Sequence, residues 1–425
     1  MCKLSTYVRR QFPSMGVRTR ETIRAYLDGP GGYQVPSRVI DAMKNYLVNI
    51  NANAEGSYST SRATDEMLQN ARRTFADFFN CSWEEVAFGA NMTTLNFMLA
   101  QALLCEIGVG KKVVITEIDH EANRAPWLQL RKTGVRVGEV PLDVSTCTLK
   151  MDDFRREMTP DTKVVAFNYA SNAVGTITDV KQIVEMARSI GAYTVIDAVH
   201  FAAHGPIDVA QIGADFVLCS AYKFFGPHIG VMYAKKSSLE RLETMQVRPA
   251  RHYPPYRIET GTLNHEGIAG AAEAVEFVAD IGVYFSDEVQ TEVRNLQGRR
   301  RNVVVGLLAF EQYEEQLTDF LIQTLSNIEE ITIYGPPEGH PRTSTVSFTY
   351  AGYNARRVAE YLDSKGFLVW DGDFFATKLV ERLGLSDQGG LVRVGIAPYN
   401  TQEELEGLVA ALENRISLGK FARES

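Results

Sequence analysis

Short strand-like runs alternate with helical stretches through the first 240 residues, and no other feature of the chain constrains its fold as strongly. Four largely apolar runs rich in β-branched residues lie at 113–116, 135–140, 163–168 and 193–197, with helical periodicity between them, as at 122–132 and 180–190. Such runs are typical of strands buried on both faces. They predict an α/β fold with a mainly parallel central sheet and helices on both faces. Ligands of such sheets bind beyond the carboxyl ends of the strands.

The pattern changes from about residue 263. Helical segments at 268–281 and 287–317 are followed by short strands at 332–334 and 345–349 and by helices at 354–364 and 401–415. A chain of 425 residues is also long enough for more than one domain. We therefore predict an N-terminal segment at 1–25 that packs on a small domain, a large domain at 26–265, and a small α+β domain at 266–425 that begins with a long connecting helix.

Composition and charge argue against several classes of function. The 44 Lys and Arg against 52 Asp and Glu give a net charge of −8, which argues against nucleic-acid or anionic-membrane partners. No uninterrupted apolar run is long enough to span a membrane, and the N-terminal residues lack the apolar core of a secretion signal. The five cysteines are scattered, without a C-x-x-C pair, at Cys2, Cys81, Cys105, Cys147 and Cys219. This pattern argues against a disulfide framework and a zinc ribbon, so we expect a reducing, cytoplasmic setting.

Two of the predicted strands end in residues that carry chemistry. Lys223 follows the strand-like run 215–219 within the aromatic stretch 220–227, and a poorly solvated amine has a lowered pKa that favours Schiff-base formation. The alternative is a surface lysine on a loop. Asp197 ends the run 193–197, where a carboxylate can keep the ring nitrogen of a pyridine cofactor protonated, or can merely cap a turn.

Two turns add further candidates. The turn 89–94 opens the helical stretch 95–105 with small and hydroxyl residues, and its free N–H groups suit a phosphate, although plain N-capping explains it equally well. His120 follows the run 113–116, where an imidazole can stack on a planar ligand or move protons. A structural histidine is the alternative.

Taken together and in this order, these segments resemble the class V, fold-type I pyridoxal-phosphate enzymes, and within them the group of cysteine desulfurases, selenocysteine lyases and isopenicillin N epimerase. The resemblance runs from about Tyr26 to Leu412. Its markers are Tyr26-Leu27-Asp28-Gly29, the turn 89–94, Asp119-His120 with Pro126-Trp127, Ser171-Asn172 through Gly175-Thr176, Asp197, the stretch 220–226, Glu259-Thr260-Gly261-Thr262, and Arg393 with Tyr399-Asn400-Thr401. It implies a cytoplasmic, homodimeric enzyme with sites at the subunit interface and pyridoxal 5′-phosphate as cofactor.

The resemblance also implies roles for individual residues. Lys223 resembles the lysine of the internal aldimine, which carries the proton at the substrate α-carbon, and His120 resembles the catalytic residue stacked on the cofactor ring. The other residues that match cofactor contacts are Asp197 at the ring nitrogen, Asn172 and His200 near the phenolic oxygen, and Thr93, Thr94, Ser220, Tyr222 and, from a second subunit, Thr262 at the phosphate. Arg393 resembles the arginine that binds the substrate carboxylate, with Trp370 and Phe375 beside the substrate.

The chain departs from the family pattern at several positions. His200 stands where the family usually has glutamine, and Tyr222 where it has histidine, and both can still donate hydrogen bonds. His200 and His204 have a zinc-like spacing, but no further ligand completes a set, so we expect no metal. Phe375 stands where desulfurases carry the cysteine that stores sulfur as a persulfide.

The sequence therefore favours a pyridoxal-phosphate enzyme that acts on an amino acid through a quinonoid intermediate and cleaves a C–S bond by β-elimination without a persulfide cysteine. An epimerase or a class V aminotransferase would share the first steps. A sulfur-relay desulfurase with an unexpected cysteine and a catalytically silent homologue are further alternatives. The aromatic loop around Trp370 and Phe375 suits a bulky or apolar substrate, or packing at a dimer interface.

Overall fold

The structure is a computed structural model that describes residues 3–15, 25–286, 293 and 295–414. Its helices are α1 Lys3–Arg9, α2 Ser37–Asn45, α3 Ser59–Phe79, α4 Met92–Ile107, α5 Glu121–Gln129, α6 Met151–Glu157, α7 Val180–Ser189, α8 Val209–Ile212, α9 Lys236–Leu239, α10 His265–Tyr284, α11 Gly298–Leu325, α12 Ala355–Ser364, α13 Thr377–Arg382 and α14 Gln402–Glu413. Its strands are β1 Ala25–Tyr26, β2 Val86–Gly89, β3 Lys112–Thr116, β4 Arg136–Val140, β5 Leu142–Asp143, β6 Thr148–Leu149, β7 Thr162–Asn168, β8 Tyr193–Asp197, β9 Phe216–Ser220, β10 Gly230–Ala234, β11 Ile331–Tyr334, β12 Thr345–Tyr350, β13 Phe367–Leu368, β14 Trp370–Gly372 and β15 Leu391–Gly395.

The central sheet has seven strands in the order β2-β10-β9-β8-β7-β3-β4. Strands β9, β8, β7, β3 and β4 run parallel, while β10 pairs antiparallel with both β9 and β2. The inner strands are buried almost throughout because helices cover both faces of the sheet. The predicted fold class is confirmed. The antiparallel pair at one edge was not predicted, because local periodicity does not encode strand direction.

A second, four-stranded antiparallel sheet has the order β11-β12-β15-β14. Helices α12 and α14 bury an apolar stripe that includes Val358, Leu362, Leu405 and Leu408. The predicted helix at 287–317 is wrong at its start, because α11 begins at Gly298, after the extended cap residue Gln297. Residues 287–292 and 294, which that prediction also covered, lie outside the described residues.

The N-terminal part of the chain contacts residues near the C-terminal helix α14 and the segment that follows β9. The Arg9 guanidinium donates to the Tyr399 carbonyl at 3.0 Å and to Glu404 at 2.6 Å, and Phe12 packs edge-on against Phe225 and Tyr399. Strand β1 pairs in parallel with β13, and its extension continues along β15. The proposed division at 1–25, 26–265 and 266–425 stays a prediction. Across the described ranges, no helix is both long and apolar enough to cross a membrane.

Candidate active site

A cavity of about 510 Å³ opens at the carboxyl ends of the parallel strands. Its polar lining comes from residues that end or follow different strands, because parallel strands bring their carboxyl ends to one edge of the sheet. Asn168 ends β7, Asp197 ends β8 and Ser220 ends β9, while His120 follows β3. The cavity is lined by Pro30, Met92, Thr93, His120, Ala122, Asn168, Ala170, Asn172, Asp197, Val199, His200, Ser220, Tyr222 and Lys223.

Lys223 lies in the single helical turn that follows β9, and its surroundings favour the neutral amine. Burial, followed by the charge of Arg393, lowers its pKa from 10.5 to about 7, against the opposing influence of Asp28 and Asp197. The amine donates a hydrogen bond to the Pro30 carbonyl and lies 4.9 Å from the centre of the Tyr222 ring. An amine of this kind is a nucleophile and a proton carrier near neutral pH.

Asp197 is a buried carboxylic acid at the end of a central strand. Only 6% of the residue is exposed, and burial raises its pKa to about 6, although Lys223 and the Val199 N–H oppose that rise. One carboxylate oxygen, Oδ1, accepts that N–H at 2.9 Å, which fixes the orientation of the carboxyl group. A nearby cation, such as a protonated ring nitrogen, would keep this group ionised.

His120 presents an uncharged ring to the cavity. Its Nδ1 accepts the Ala122 N–H at 2.9 Å, so this nitrogen carries no proton. Burial, followed by the charges of Lys223 and Arg393, lowers its pKa to about 4. The Phe375 ring stacks on it with the centroids 5.5 Å apart. A flat neutral ring suits stacking on a planar ligand.

Polar side chains behind His120 hold the start of α5 in place. The Asp119 carboxylate accepts hydrogen bonds from Thr116 and from the Asn123 amide at 3.1 Å, and Asn96 donates to Asn123 at 3.0 Å. Burial raises the pKa of Asp119 to about 7, against these hydrogen bonds. The network is completely buried and supports the turn that carries His120.

The N-terminus of α4 also borders the cavity, since Met92 and Thr93 are among the lining residues. Ser220 Oγ accepts the Met92 N–H at 3.0 Å, and the Asn91 side chain caps the Thr94 N–H at 2.8 Å. Thr93 lines the cavity, whereas Thr94 does not. A Cβ at Gly230 would lie 2.6 Å from the Asn91 carbonyl carbon, so glycine there permits β10 to approach this turn. Helix N-termini of this kind suit a phosphate.

His200 lines the cavity as a neutral histidine, because burial lowers its pKa well below the usual value. Its Nε2 shares hydrogen bonds with the hydroxyls of Thr343 at 2.9 Å and Thr345 at 3.1 Å. His204, four residues on, is bonded through Nδ1 to Glu314 at 2.9 Å. The two histidines, despite their zinc-like spacing, therefore bond to different partners. No group of three or more metal-ligating side chains occurs in the described part of the chain.

Arg393, on β15, is almost completely buried beside the cavity. Its Nη1 donates to the Asn172 carbonyl and its Nη2 to Asp28 Oδ1, both at 2.9 Å. The guanidinium carbon lies 4.3 Å from the centre of the Phe374 ring and 6.0 Å from that of Trp370. Burial lowers the pKa of Arg393, against the opposing charge of Asp28. The residue is therefore a cation held by one carboxylate and flanked by aromatic rings.

The loop after β14 forms the outer wall of the site. Phe374 and Phe375 both have left-handed backbone angles, with φ of 56° and 57°, which is uncommon for aromatic residues. The Phe374 carbonyl accepts the Asn172 amide at 2.9 Å, and the Phe375 carbonyl accepts the Glu121 N–H at 2.7 Å. These bonds hold the strained loop against His120, with 65% of Phe375 exposed.

Five of the predicted site residues do not line the cavity, namely Thr94, Thr262, Trp370, Phe375 and Arg393. Thr262 is exposed. Sequence reasoning missed Asn168, whose Nδ2 is buried and without a hydrogen-bond partner, and assigned no role to Asp28 or Pro30. Asn168 carried a usable signal, because it is a polar residue at the carboxyl end of a buried strand.

The residues of the cavity fit pyridoxal phosphate. The lysine has a pKa lowered to about 7, so its neutral amine is available near neutral pH, the strand-end carboxylate can pair with a ring nitrogen, and the neutral imidazole can stack on the ring. Asn168 also lines the cavity, and its buried amide nitrogen has no hydrogen-bond partner, so it adds a free donor.

Comparisons with known proteins agree with this geometry. The family described as Aminotransferase class-V matches residues 25–300 and 303–408. A probable cysteine desulfurase of Halalkalibacterium halodurans is 30% identical over 96% of each chain, and an aminotransferase-like protein of Gibberella zeae is 31% identical over 96% of this chain and 97% of its own.

Solved structures give the same result for the fold. The cysteine desulfurase of Thermococcus onnurineus superposes with a TM-score of 0.85 at 25% identity, over 97% of this chain and 98% of its own. The Escherichia coli cysteine desulfurase CsdA superposes with a TM-score of 0.81 at 23% identity, over the same shares. The resemblance read from the sequence is confirmed, and the chain belongs to the class V aminotransferase family of fold-type I, pyridoxal-phosphate-dependent enzymes.

Proposed function

We propose that this chain binds pyridoxal phosphate through Lys223 and cleaves a C–S bond of an amino acid by β-elimination, without storing sulfur on a cysteine. The observation that carries the proposal is the convergence of the Lys223 amine, the Asp197 carboxylate and the neutral His120 ring on one cavity. Pyridoxal phosphate, when bound, supplies the electron sink that makes loss of the α-proton possible.

The cavity residues divide into those that hold the cofactor ring and those that hold its phosphate. Asp197 would keep the proton on the ring nitrogen, and the His120 ring would cover one face. Asn172 and His200 would donate hydrogen bonds to the ring oxygen. At the N-terminus of α4, the phosphate would bind Ser220 and Tyr222 together with Thr93 and Thr94. Both threonines lie in the first turn of α4, and Thr93 lines the cavity.

The substrate would bind between Arg393 and the aromatic loop. The guanidinium binds the α-carboxylate and so fixes which bond at the α-carbon lies perpendicular to the cofactor ring. Lys223 Nζ takes the α-proton, and its pKa near neutrality suits both the removal and the return of that proton. Trp370 and Phe375 give the region beyond the β-carbon an apolar, aromatic border, which favours a bulky or apolar amino acid.

The positions of the cysteines support elimination without a persulfide. Among the described residues none of the four cysteines lines the cavity. Burial raises the pKa of Cys219 well above its usual value and that of Cys147 to about 11, which disfavours the nucleophilic thiolate. Cys105 is exposed, and its thiol lies 3.7 Å from Glu243, a residue outside the cavity lining. The same scattered cysteines are the basis for a cytoplasmic setting, which stays a prediction.

An amino-acid panel tests the proposed reaction. Purified enzyme loaded with pyridoxal phosphate is incubated with each amino acid, including cysteine, while sulfide, pyruvate, keto acids and the enantiomeric ratio are measured. We expect sulfide, ammonia and a keto acid in equal amounts, because the enamine left by elimination is hydrolysed to the keto acid and ammonia, and we expect no sulfur bound to the protein. Racemisation alone would assign an epimerase, amino-group transfer alone an aminotransferase, and protein-bound sulfur on a cysteine a sulfur relay.

The lysine assignment has its own control. Lys223→Ala removes the visible absorption band of the bound cofactor, whereas Lys132→Ala, at an exposed position, retains it. Retention of the band in Lys223→Ala would contradict the assignment. Absence of the band from the unaltered enzyme would favour a catalytically silent homologue.

We also propose a homodimer in which Thr262 of each subunit reaches the phosphate site of the other. Thr262 is exposed and lies outside the cavity of its own chain, close to Glu259, whose carboxylate is bonded to Arg72. Leu47 and Val48 add exposed apolar surface after α2. Light scattering is expected to give twice the mass of the chain, and a stable monomer with full activity would contradict the proposal.

A further inference from the structure

The turn at 28–32 contacts the Arg393 guanidinium in the candidate active site. Asp28 Oδ1 accepts a hydrogen bond from Arg393 Nη2 at 2.9 Å and from the Gly31 N–H at 3.2 Å. The turn is fixed to the strand that carries Arg393, because Asp28 forms a β-bridge with Gly395 and the Gly29 N–H donates to the Gly395 carbonyl. Backbone pairing between the turn and β15 therefore keeps Asp28 next to Arg393.

Two of the five N–H donors of the Arg393 guanidinium are in use. Nη1 donates to the Asn172 carbonyl, Nη2 donates to Asp28, and Nε is buried without a partner. The Arg393 side chain is only 2% exposed, so its charge is balanced mainly by the Asp28 carboxylate. A second carboxylate that approaches this pair meets a guanidinium whose charge is already neutralised.

We propose that Asp28 is an intramolecular competitor for the substrate carboxylate at Arg393. The substrate must displace Asp28 from the guanidinium, so the ion pair determines how tightly the enzyme binds carboxylates. The inference rests on the proposed role of Arg393 in carboxylate binding. It predicts that removal of the Asp28 charge tightens carboxylate binding, whereas loss of a residue that only orients the arginine would leave that binding unchanged or weaken it.

The geometry permits the exchange. The Asp28 side chain is 27% exposed, so its carboxylate can turn toward water, and it can keep the Gly31 N–H as a partner when Arg393 is taken by another anion. Arg393 is held in addition by Asn172, so it stays in place after Asp28 leaves. If Asp28 occupies the guanidinium about nine-tenths of the time, the apparent dissociation constant for a carboxylate rises about ten-fold.

Gly31 offers a way to move the Asp28 carboxylate without removing its charge. A Cβ at Gly31 would lie 2.6 Å from the carboxyl carbon of Asp28, which is closer than any real contact, so the carboxyl group must rotate away. The backbone at Gly31 lies outside the left-handed region, so alanine can adopt it. Gly32 is the matched control, because its Cβ would lie at an ordinary 3.4 Å from the Tyr222 ring.

The test is a titration with propionate, a carboxylate that lacks the reacting amine. The enzyme is supplied with pyridoxal phosphate, and binding is followed by tryptophan fluorescence, since the Trp370 ring lies 6.0 Å from the Arg393 guanidinium. We expect Asp28→Asn and Gly31→Ala each to lower the dissociation constant for propionate about ten-fold relative to the unaltered enzyme and to Gly32→Ala. Arg393→Gln is expected to abolish the fluorescence response, which would confirm where propionate binds.

Unchanged or weaker binding in Asp28→Asn would overturn the proposal, because a residue that only orients Arg393 gives that result. Absence of propionate binding in every variant would overturn it as well, since removal of the competitor should expose the site. Folding of each variant is checked by circular dichroism, and Gly31→Ala keeps the test valid if Asp28→Asn does not fold. Failure of the proposed function is distinguishable, because it shows in the visible cofactor band or in the products of the amino-acid panel, whereas the propionate titration requires no turnover.

Discussion

Replacement of Lys223 by methionine should stabilise the protein in the absence of pyridoxal phosphate, in a way that depends on pH. Methionine has similar length and no charge, so the buried site no longer has to accommodate a protonatable amine. The pKa of Lys223 falls from 10.5 to about 7 in the folded protein, chiefly because of burial. Between those values the unfolded chain binds more protons than the folded one, so the wild-type protein gains stability as the pH rises through this window.

The size of the effect follows from the same two pKa values. The lysine costs the folded protein about 4 kcal/mol near pH 7 and about 1 kcal/mol near pH 9.5, and the cost vanishes above the unfolded pKa. The lost hydrogen bond to the Pro30 carbonyl subtracts about 1 kcal/mol at every pH and leaves the slope unchanged.

Urea denaturation of cofactor-free protein at several pH values measures this difference. The free energy of unfolding of Lys223→Met minus that of the wild type should fall by about 3 kcal/mol from pH 7 to pH 9.5. Lys132→Met, at an exposed position, controls for the loss of a lysine. A difference that stays constant across this range would refute the reasoning, because the buried amine would then not titrate as its surroundings require.

Three further predictions concern other parts of the structure. Glu259→Gln deprives the Arg72 guanidinium, which is 3% exposed, of its carboxylate partner, and should lower the free energy of unfolding by about 3–5 kcal/mol in urea denaturation. The folded protein holds His120 neutral, so the contribution of this histidine to the free energy of unfolding should fall by about 3 kcal/mol as the pH drops from 6.5 to 4. The free energy of unfolding of His120→Phe minus that of the wild type should therefore rise over this range, as measured by urea denaturation at each pH. Phe375→Ala should change the free energy of unfolding by less than about 0.5 kcal/mol, since the ring is exposed, yet raise KM for apolar amino acids more than it lowers kcat.

Much of the sheet and of its functional edge was predictable because local signals encode them. The strand at 193–197 and the helix at 180–190 were placed within one residue, since apolar periodicity determines both. The structure brings Lys223, Asp197 and His120 into one cavity because each lies at or just after the carboxyl end of a parallel strand. Position relative to a strand can be read from one segment of sequence.

The features that escaped prediction depend on distant or strained parts of the chain. The contact between Asp28 and Arg393 joins residues 365 positions apart, and neither segment alone indicates it. The left-handed backbone of Phe374 and Phe375 contradicts the local preference of aromatic residues and is held by hydrogen bonds to Asn172 and Glu121. Such arrangements come from tertiary contacts, which local patterns do not contain.

The pairing of the first strand with the last sheet has a consequence for how the protein is made. Leu27 bonds to the backbone of Leu368 and Gly395, so the two ends of the chain meet within the molecule. At a synthesis rate of about 5–20 residues per second, roughly 20–70 s pass between emergence of the first partner and emergence of the second. The carboxylate-binding side of the site therefore forms only after Gly395 has left the ribosome, and chains terminated before this residue lack it even where the cofactor lysine is present.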